Sequence, residues 1–220
     1  MRHATKSLRG AMAVTLALGF AAVACDGNGG NGPNGDMGFV SAAVVDNPAS
    51  PNTSPAMTSQ AEPQGASASQ YEGTIRGDMA VEISADGVVW YELGAPAQVA
   101  VQAQHGNGTT VHTEVTVPEG QYVFIRLRME NAQAELHAGA VIGSLTLSTD
   151  ITVMINNGAE VVIEKQVPAF TVSADASVRT EIVLDLNSEL WITEGSVESG
   201  SAEEADVEEA TTAETHEAPR

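Results

Sequence analysis

The chain has 220 residues, of which 29 are acidic and only nine are Lys or Arg, and its formal net charge at neutral pH is −20. This excess of carboxylates makes nucleic acid and anionic lipid poor partners, because both repel a polyanion. With one cysteine in the whole chain, an intramolecular disulfide is excluded.

The first 24 residues have the layout of an export signal. Basic residues at positions 2, 6 and 9 precede an apolar stretch at 11–24. That stretch is too short for a membrane-spanning helix, which needs roughly 20 apolar residues. We therefore expect residues 1–24 to be a signal peptide. Its removal takes away three cations and no acid, which leaves a mature chain of charge −23 (−20 − 3).

The motif Ala22-Val23-Ala24-Cys25 ends this apolar stretch. Small residues before a cleavage point suit a signal peptidase, and the motif resembles the lipobox at which bacterial lipoproteins are lipidated on cysteine and cleaved just before it. The resemblance implies that Cys25 becomes a lipidated N-terminus that holds the protein in the cell envelope, at the periplasmic face of a membrane or at the cell surface. Lipoboxes most often have leucine in the place of Ala22, and the same four residues also fit an ordinary secretory cleavage site.

Residues 25–70 are predicted to be the anchor cysteine followed by a flexible linker. Gly, Asn, Pro, Ser and Ala dominate this segment, and such a composition buries too little apolar surface to offset the entropy of ordering. One interruption, at residues 39–45, is apolar. It can be a short strand that docks on the edge of the domain or a loosely ordered patch, and the sequence leaves both open.

Residues 71–192 are predicted to form a single all-β domain. Runs rich in Val, Ile, Thr and aromatic residues are separated by turn residues at intervals of roughly 8 to 12. In the stretches 121–130 and 178–187, apolar and polar residues alternate, which indicates strands with one buried face. The pattern predicts a single antiparallel β-sandwich, immunoglobulin-like or transthyretin-like.

Glycine-containing turns suggest how these strands pair. Asp86-Gly87 fits a two-residue hairpin turn that sets Ile83 opposite Trp90, and Asn157-Gly158 can form the same turn. A further hairpin around residues 106–108 would pair the strands on either side of it and keep their apolar positions together.

Two stretches of the domain carry a recognisable pattern. Residues 117–127 contain a turn with proline and glycine, then Tyr122 and an Ile-Arg-Leu strand, and residues 170–187 run into a last apolar strand at 190–192. Together they resemble an uncharacterised domain that is common in bacterial and archaeal envelope lipoproteins. The resemblance implies the fold and the location, since that family's function is unassigned. In physical terms, Tyr122 can bury its ring while its hydroxyl reaches the backbone.

Residues 193–220 are predicted to be a disordered acidic tail. Nine acids are spread among small residues there, with Arg220 as the only cation to balance them. The tail can capture divalent cations weakly, act as an electrostatic brush, or simply keep the protein soluble, and we favour the last of these.

The sequence contains no catalytic pattern, and we expect neither enzymatic activity nor a cofactor or metal. No serine lies in Gly-x-Ser-x-Gly, and Glu181 and Asp185 are most simply solvated groups on the surface of a strand. His105, His112 and His137 are the candidate metal ligands, but the first two would project from opposite faces of the predicted hairpin.

Two functions from different classes remain. We favour a structural or scaffolding lipoprotein of the cell envelope, and the alternative is an adhesion module that binds an envelope protein or a glycan. The alternative needs exposed aromatic rings that stack on sugars, for which Trp90, Tyr91 and Trp191 are the candidates. Because the chain is only 4% aromatic, its rings are expected first in the core.

Overall fold

A computed structural model describes residues 36–47, 71–104, 106 and 108–220 of the chain. The described residues are mostly in strands, which confirms the predicted all-β class. The strands are β1 (Met37–Val45), β2 (Gly73–Ser84), β3 (Trp90–Glu92), β4 (Ala97–Gln102), β5 (Thr109–Pro118), β6 (Gly120–Leu136), β7 (Val141–Ile142), β8 (Leu145–Thr146), β9 (Ile151–Ile155), β10 (Val161–Val172), β11 (Val178–Asp185), β12 (Ser201–Ala202) and β13 (Thr212–Pro219). The short helices are α1 (Ser188–Trp191), α2 (Glu194–Ser199) and α3 (Glu204–Ala210).

Two large sheets organise these strands. The smaller has the order β13-β11-β1-β5. In the larger sheet, the long strand β6 pairs with β2 along one edge and with β10 and β9 in succession along the other, while β2 also pairs with β3 and β4. The prediction of a purely antiparallel arrangement is wrong, because β1 runs parallel to β11 and β12 runs parallel to β9.

Alternation of side chains explains how the two sheets share a core. On β6, Ile125, Leu127 and Met129 are fully buried, and the arginines between them are only half-buried. On β11, Ile182 and Leu184 are buried in the same way, so both strands predicted from their period-2 pattern are confirmed. The buried faces of both large sheets contribute to one hydrophobic cluster.

Strand β1 answers the question that the sequence left open for residues 39–45. It lies between β11 and β5, and its alternate residues Val40, Ala42 and Val44 are at most 1% exposed. The segment is therefore an interior strand, and the described domain begins at Met37 and not at Tyr71. Of the two possibilities that the sequence left open, the structure shows the strand, placed inside the sheet and not at its edge, because its apolar alternation becomes favourable once partner strands and a core are supplied.

The prediction of a disordered tail from residue 193 is also wrong. This segment forms α2, β12, α3 and β13, and β13 pairs with β11 along its whole length. Val207 and Ala210 enter the core, because small apolar residues between the acids give α3 one apolar face. Residues 190–192 likewise form no strand, since Trp191 is the last residue of the helical turn α1.

The predicted turns differ from those in the structure. Ser84, and not Ile83, lies opposite Trp90, because the loop is longer than two residues and Asp86 accepts hydrogen bonds from the amides of Val88 and Val89 at 2.8 and 2.9 Å. Residues 156–158 form a 3₁₀ turn that joins β9 to β10 along one edge of β6 instead of a hairpin. The predicted hairpin around 106–108 is replaced by a crossover, since β4 pairs with β2 and β5 pairs with β1.

The turn that precedes Tyr122 has the geometry expected from the sequence. The ring is 3% exposed, and its hydroxyl donates to the carbonyl oxygen of Pro118 at 2.7 Å. The bond joins the end of β5 to the start of β6, so this tyrosine stabilises the passage of the chain from one large sheet to the other.

Candidate functional site

Cys25, the predicted lipidation residue, lies outside the described residues, as do the signal peptide at 1–24 and His105. The nearest described strand to Cys25 is β1, which begins twelve positions later at Met37. Its first residues lie beside the β5–β6 turn, where the amide of Glu119 donates to the carbonyl oxygen of Asp36 at 2.8 Å. The chain therefore enters the domain at this end of the sheets, which we call the entry end.

The structure does not assemble Trp90, Tyr91 and Trp191 into an aromatic platform. Trp191 is 1% exposed and donates its indole N–H to the carbonyl oxygen of Leu186 at 3.1 Å, so its role is in the core. Trp90 and Tyr91 are neighbours on β3, where successive side chains point to opposite faces. The prediction of a shared ligand platform is therefore wrong.

Trp90 and Tyr91 each have partners within the protein. The guanidinium of Arg126 lies 3.7 Å from the centroid of the Trp90 ring, and the ring of Tyr91 meets that of Tyr122 edge-on with centroids 5.9 Å apart. Both side chains are half-buried, and these contacts occupy ring surface that a stacked sugar would need.

The candidate metal ligands are not brought together. His112 is 6% exposed, and its Nε2 accepts a hydrogen bond from the amide of Val81 at 3.2 Å. Burial lowers the pKa of this imidazole, which favours the neutral form that can accept. His137 lies on the surface with its Nδ1 3.8 Å from Asp150. Within the described ranges, no three His, Cys, Asp or Glu side chains are grouped as a metal site requires.

A buried polar cluster occurs at the opposite end of the domain from the entry end. Asp46 is 0% exposed and accepts from the Ser188 amide at 2.7 Å, the Ser188 hydroxyl at 2.5 Å and the Gln104 amide at 2.7 Å. The Ser188 Oγ also lies 2.6 Å from the Tyr71 hydroxyl. We call these four residues the Asp46 cluster. It ties the end of β1 to the β4–β5 loop, to α1 and to the residue that leads into β2.

Burial and internal hydrogen bonds give the Asp46 cluster a structural role. Burial raises the pKa of Asp46, while the hydrogen bonds from Ser188 and Gln104 act in the opposite direction. Burial likewise raises the pKa of the Tyr71 hydroxyl. Ser188 is fully buried and its hydroxyl is engaged on both sides, so it is closed to a substrate. The local sequence offered one weak signal, which is an acid placed directly after the apolar run at 39–45.

A ladder of charges crosses the outer face of the larger sheet. Glu82 on β2 is 4% exposed and accepts from Arg126 at 3.0 Å, and Arg126 also pairs with Glu164 at 2.6 Å. Next to it, Arg128 lies 3.7 Å from Glu82 and 2.6 Å from Glu160. The two arginines of β6 therefore link Glu82, on one side of this strand, to the carboxylates of Glu160 and Glu164 on the other side.

The described part of the chain also forms concave regions, two of which are considered as binding sites. A groove of about 680 Å³ runs above β1 on the outer face of the smaller sheet, because Ser41 and Ala43 are small while Arg179, Glu181 and Glu114 stand on the neighbouring strands. A shallower pocket of about 430 Å³ lies beside the Asp46 cluster, next to the loop at 137–141. Arg179 is already paired with Glu181 at 2.5 Å, so the sides of the groove are held in place by the protein itself.

The fold and these features define an all-β protein with two mixed sheets, a buried polar cluster and a surface rich in carboxylates. Comparisons with protein-family models, with curated proteins and with solved structures found no match to this chain. In the part of the chain that the structure describes, every helix is too short or too polar to cross a membrane.

Proposed function

We propose that this protein is an exported lipoprotein, anchored in the cell envelope through Cys25, and that its two sheets form a β-sandwich with a structural or scaffolding role. The observation that carries the proposal is the position of the only cysteine, directly after Ala22-Val23-Ala24 at the end of the apolar leader. The resemblance of that motif to a lipobox, and of residues 117–127 to a domain of envelope lipoproteins, supports the same location.

The interior position of β1 supports a close attachment of the domain to its anchor. Only eleven residues, 26–36, separate Cys25 from Met37. A chain of that length spans at most about 40 Å when fully extended. A lipid on Cys25 would therefore hold the entry end near the membrane, and any pull on the anchor would act on a strand that is paired on both edges.

The titratable groups support a structural role over a catalytic one. Among the described residues, Asp46 is a buried carboxyl group with a raised pKa, and His112 is a buried imidazole with a lowered pKa. Each is hydrogen bonded within the protein. A general acid or base needs to reach a substrate, whereas these two groups stabilise junctions between elements.

Expression of the full chain in a bacterial host tests the anchor. The mature protein should have Cys25 as its first residue, carry acyl mass and partition with membranes, and Cys25→Ser should be soluble after fractionation with an unchanged circular dichroism spectrum. A mature wild-type protein that carries no acyl mass and stays in the soluble fraction would overturn the anchor and would favour ordinary secretion.

The groove above β1 favours one second candidate, an adhesion module that binds an envelope glycan or protein. Its floor at Ser41 and Ala43 is half-buried and its sides are charged, so a polar chain can lie in it. The probe is purified peptidoglycan, which the protein should sediment with, and Ser41→Tyr should abolish sedimentation by filling the groove. The matched control is Thr146→Tyr, at the exposed position of β8. Equal sedimentation of both variants, or none by the wild type, would exclude glycan binding in the groove.

A further inference from the structure

We propose that the tip of the β2–β3 hairpin, with Val88 and Val89, rests in the interfacial layer of the membrane that holds the anchor and so orients the domain on an uncharged lipid surface. This inference rests on the proposed lipidation of Cys25 and adds a second, non-covalent contact with the same membrane. Met37, at the start of β1, is exposed at the same end of the domain.

The hairpin tip presents apolar side chains that the fold does not use. Val88 is 80% exposed and Val89 is 53% exposed, although both are large aliphatic residues in a protein with a well-packed core. Asp86 fixes this arrangement by accepting hydrogen bonds from both valine amides. Since Asp86 satisfies both valine amides, the two apolar side chains can meet the boundary between headgroups and acyl chains without bringing an unpaired valine N–H with them.

The hairpin tip and Met37 lie at the same end of the domain. A continuous series of contacts joins them, from the ring of Tyr91 on β3 to the ring of Tyr122, and from the Tyr122 hydroxyl to the carbonyl of Pro118, which lies opposite Met37. Ser84, the last residue of β2, pairs with Phe124, four positions into β6. The loop at 85–89 therefore projects toward the entry end, where the chain arrives from Cys25.

The distribution of exposed apolar residues fits this orientation. Among the described residues, four large hydrophobic side chains are exposed, namely Met37, Val88, Val89 and Leu190. The first three lie toward the entry end. Leu190 lies on α1, at the other end beside the Asp46 cluster. The short chain from Cys25 would keep the entry end close to the bilayer, so that even weak insertion of the tip acts at a high effective concentration.

Charge decides which lipid surface the tip can meet. Asp36, Asp86, Glu119 and Asp175 all lie on turns or chain ends at the entry end, and the nearby cation Arg220 is already paired with Glu114 at 3.3 Å. Anionic headgroups would repel these carboxylates over a distance of about 10 Å at moderate salt. The surface therefore fits zwitterionic lipid, and phosphatidylglycerol should weaken the contact.

Native Trp90 reports on the tip without a new label. Mature chain from residue 25, produced without the leader, is coupled through its only thiol at Cys25 to a maleimide lipid in phosphatidylcholine vesicles that contain brominated acyl chains. Bromine quenches the emission of nearby indoles. Trp191 is buried at the far end and supplies a constant background.

We expect the brominated lipid to quench the tethered wild-type protein, and the extra quenching to fall at least twofold in the double variant Val88→Ser, Val89→Ser. The matched control Leu190→Ser should behave like the wild type, and one third of phosphatidylglycerol should reduce the quenching. Absence of extra quenching in the tethered protein, or equal quenching in the double variant and the wild type, would overturn the proposal. Because the protein is tethered chemically here, the quenching result does not depend on whether a cell lipidates Cys25. A missing acyl mass on Cys25 would overturn the natural anchor, and missing quenching would overturn the contact of the hairpin tip with lipid.

Discussion

At the scale of single residues, His112 joins the two large sheets at the point where the backbone pairing of β2 passes from β4 to β3. Strand β2 has β4 as its partner up to Met79 and β3 from Glu82, so the amide of Val81 faces the break between these partners. The Nε2 of His112, on β5 of the other sheet, accepts that hydrogen bond. An apolar residue at 112 would leave a buried donor without its acceptor, which is costly in a protein interior.

The contact predicts a stability that depends on pH. Burial lowers the pKa of folded His112 below 6.5, so the unfolded chain takes up the proton first. The contribution is complete above about pH 6.5 and is lost as the pH falls through the lowered value. We expect the free energy of unfolding, measured with urea, to fall from pH 7.5 to 5, and His112→Gln, which keeps an acceptor, to reduce that dependence.

His137→Gln is the control for this measurement, because the His137 side chain is 56% exposed. It should keep the pH dependence of the wild type. If the free energy of unfolding of His112→Gln fell as much as that of the wild type over this pH range, the buried imidazole would not be the source of the pH dependence.

At the scale of elements, the charge ladder explains how β2, β6 and β10 are held in register on their outer face. Glu82 is the buried centre of the ladder, and a carboxylate with its side chain 6% exposed needs a cation and hydrogen bonds close by to replace the water that it has lost. Arg126 supplies that cation, and its planar group also covers Trp90. Both cations that contact the Glu82 carboxylate therefore come from the adjacent strand β6.

Removal of this cation predicts a clear loss of stability. Arg126→Met should lower the free energy of unfolding by about 2 kcal/mol, because it leaves Glu82 buried with only the longer contact to Arg128. The value is below that of a fully buried pair, since 21% of the Arg126 side chain is exposed. Urea unfolding at pH 7 measures the change.

The pair Arg76–Glu135 on the same sheet is the matched control. Its distance is the same 3.0 Å, but its side chains are 52% and 36% exposed. Arg76→Met should therefore cost about 0.5 kcal/mol or less. Equal losses for the two variants would show that burial of Glu82 does not determine the strength of the ladder.

At the scale of the whole molecule, segments far apart in the chain complete one sheet. Strand β1 comes from the segment before residue 48, β13 comes from the C-terminal residues, and both pair with β11. The Asp46 cluster also joins β1 to β11 just beyond the ends of these strands, because Asp46 follows β1 and Ser188 follows β11. The domain therefore depends on regions that composition alone assigns to a linker and a tail.

A cut in the chain tests this dependence. With a specific protease site inserted within residues 48–70, the N-terminal fragment that contains β1 should stay bound after cleavage, because Val40 and Val44 are buried between two strands. Size-exclusion chromatography should recover both fragments together in native buffer and separately in urea. Val40→Asp should release the fragment without denaturant, and Phe39→Asp, on the half-buried outer face, is the milder control. Loss of the cleaved wild-type fragment in native buffer would contradict the interior placement of β1.

Part of the fold follows from short stretches of sequence. The alternation in β6 and β11 identifies strands and their buried faces, since side chains point to opposite faces along any strand. Tyr122 is a similar case, because its turn, its ring and its hydrogen bond to Pro118 all lie within five residues. The candidate anchor at Cys25 also depends only on neighbouring residues, and it stays a prediction. The aromatic platform failed for the opposite reason, since no local pattern shows that Trp191 is buried.

The sequence by itself determined the all-β class and the faces of the strongest strands, because strand periodicity is a property of the local chain. Only the tertiary structure decided which strands pair. The apolar segment at 39–45 becomes an interior strand because β11 and β5 supply its partners, and the acidic residues after 193 become ordered because α3 and β13 find a core and an open edge. The Asp46 cluster draws on four separate regions of the chain, and His112 meets Val81 across two sheets. Such contacts are non-local, and the free energy of burying them appears only once the sheets have assembled.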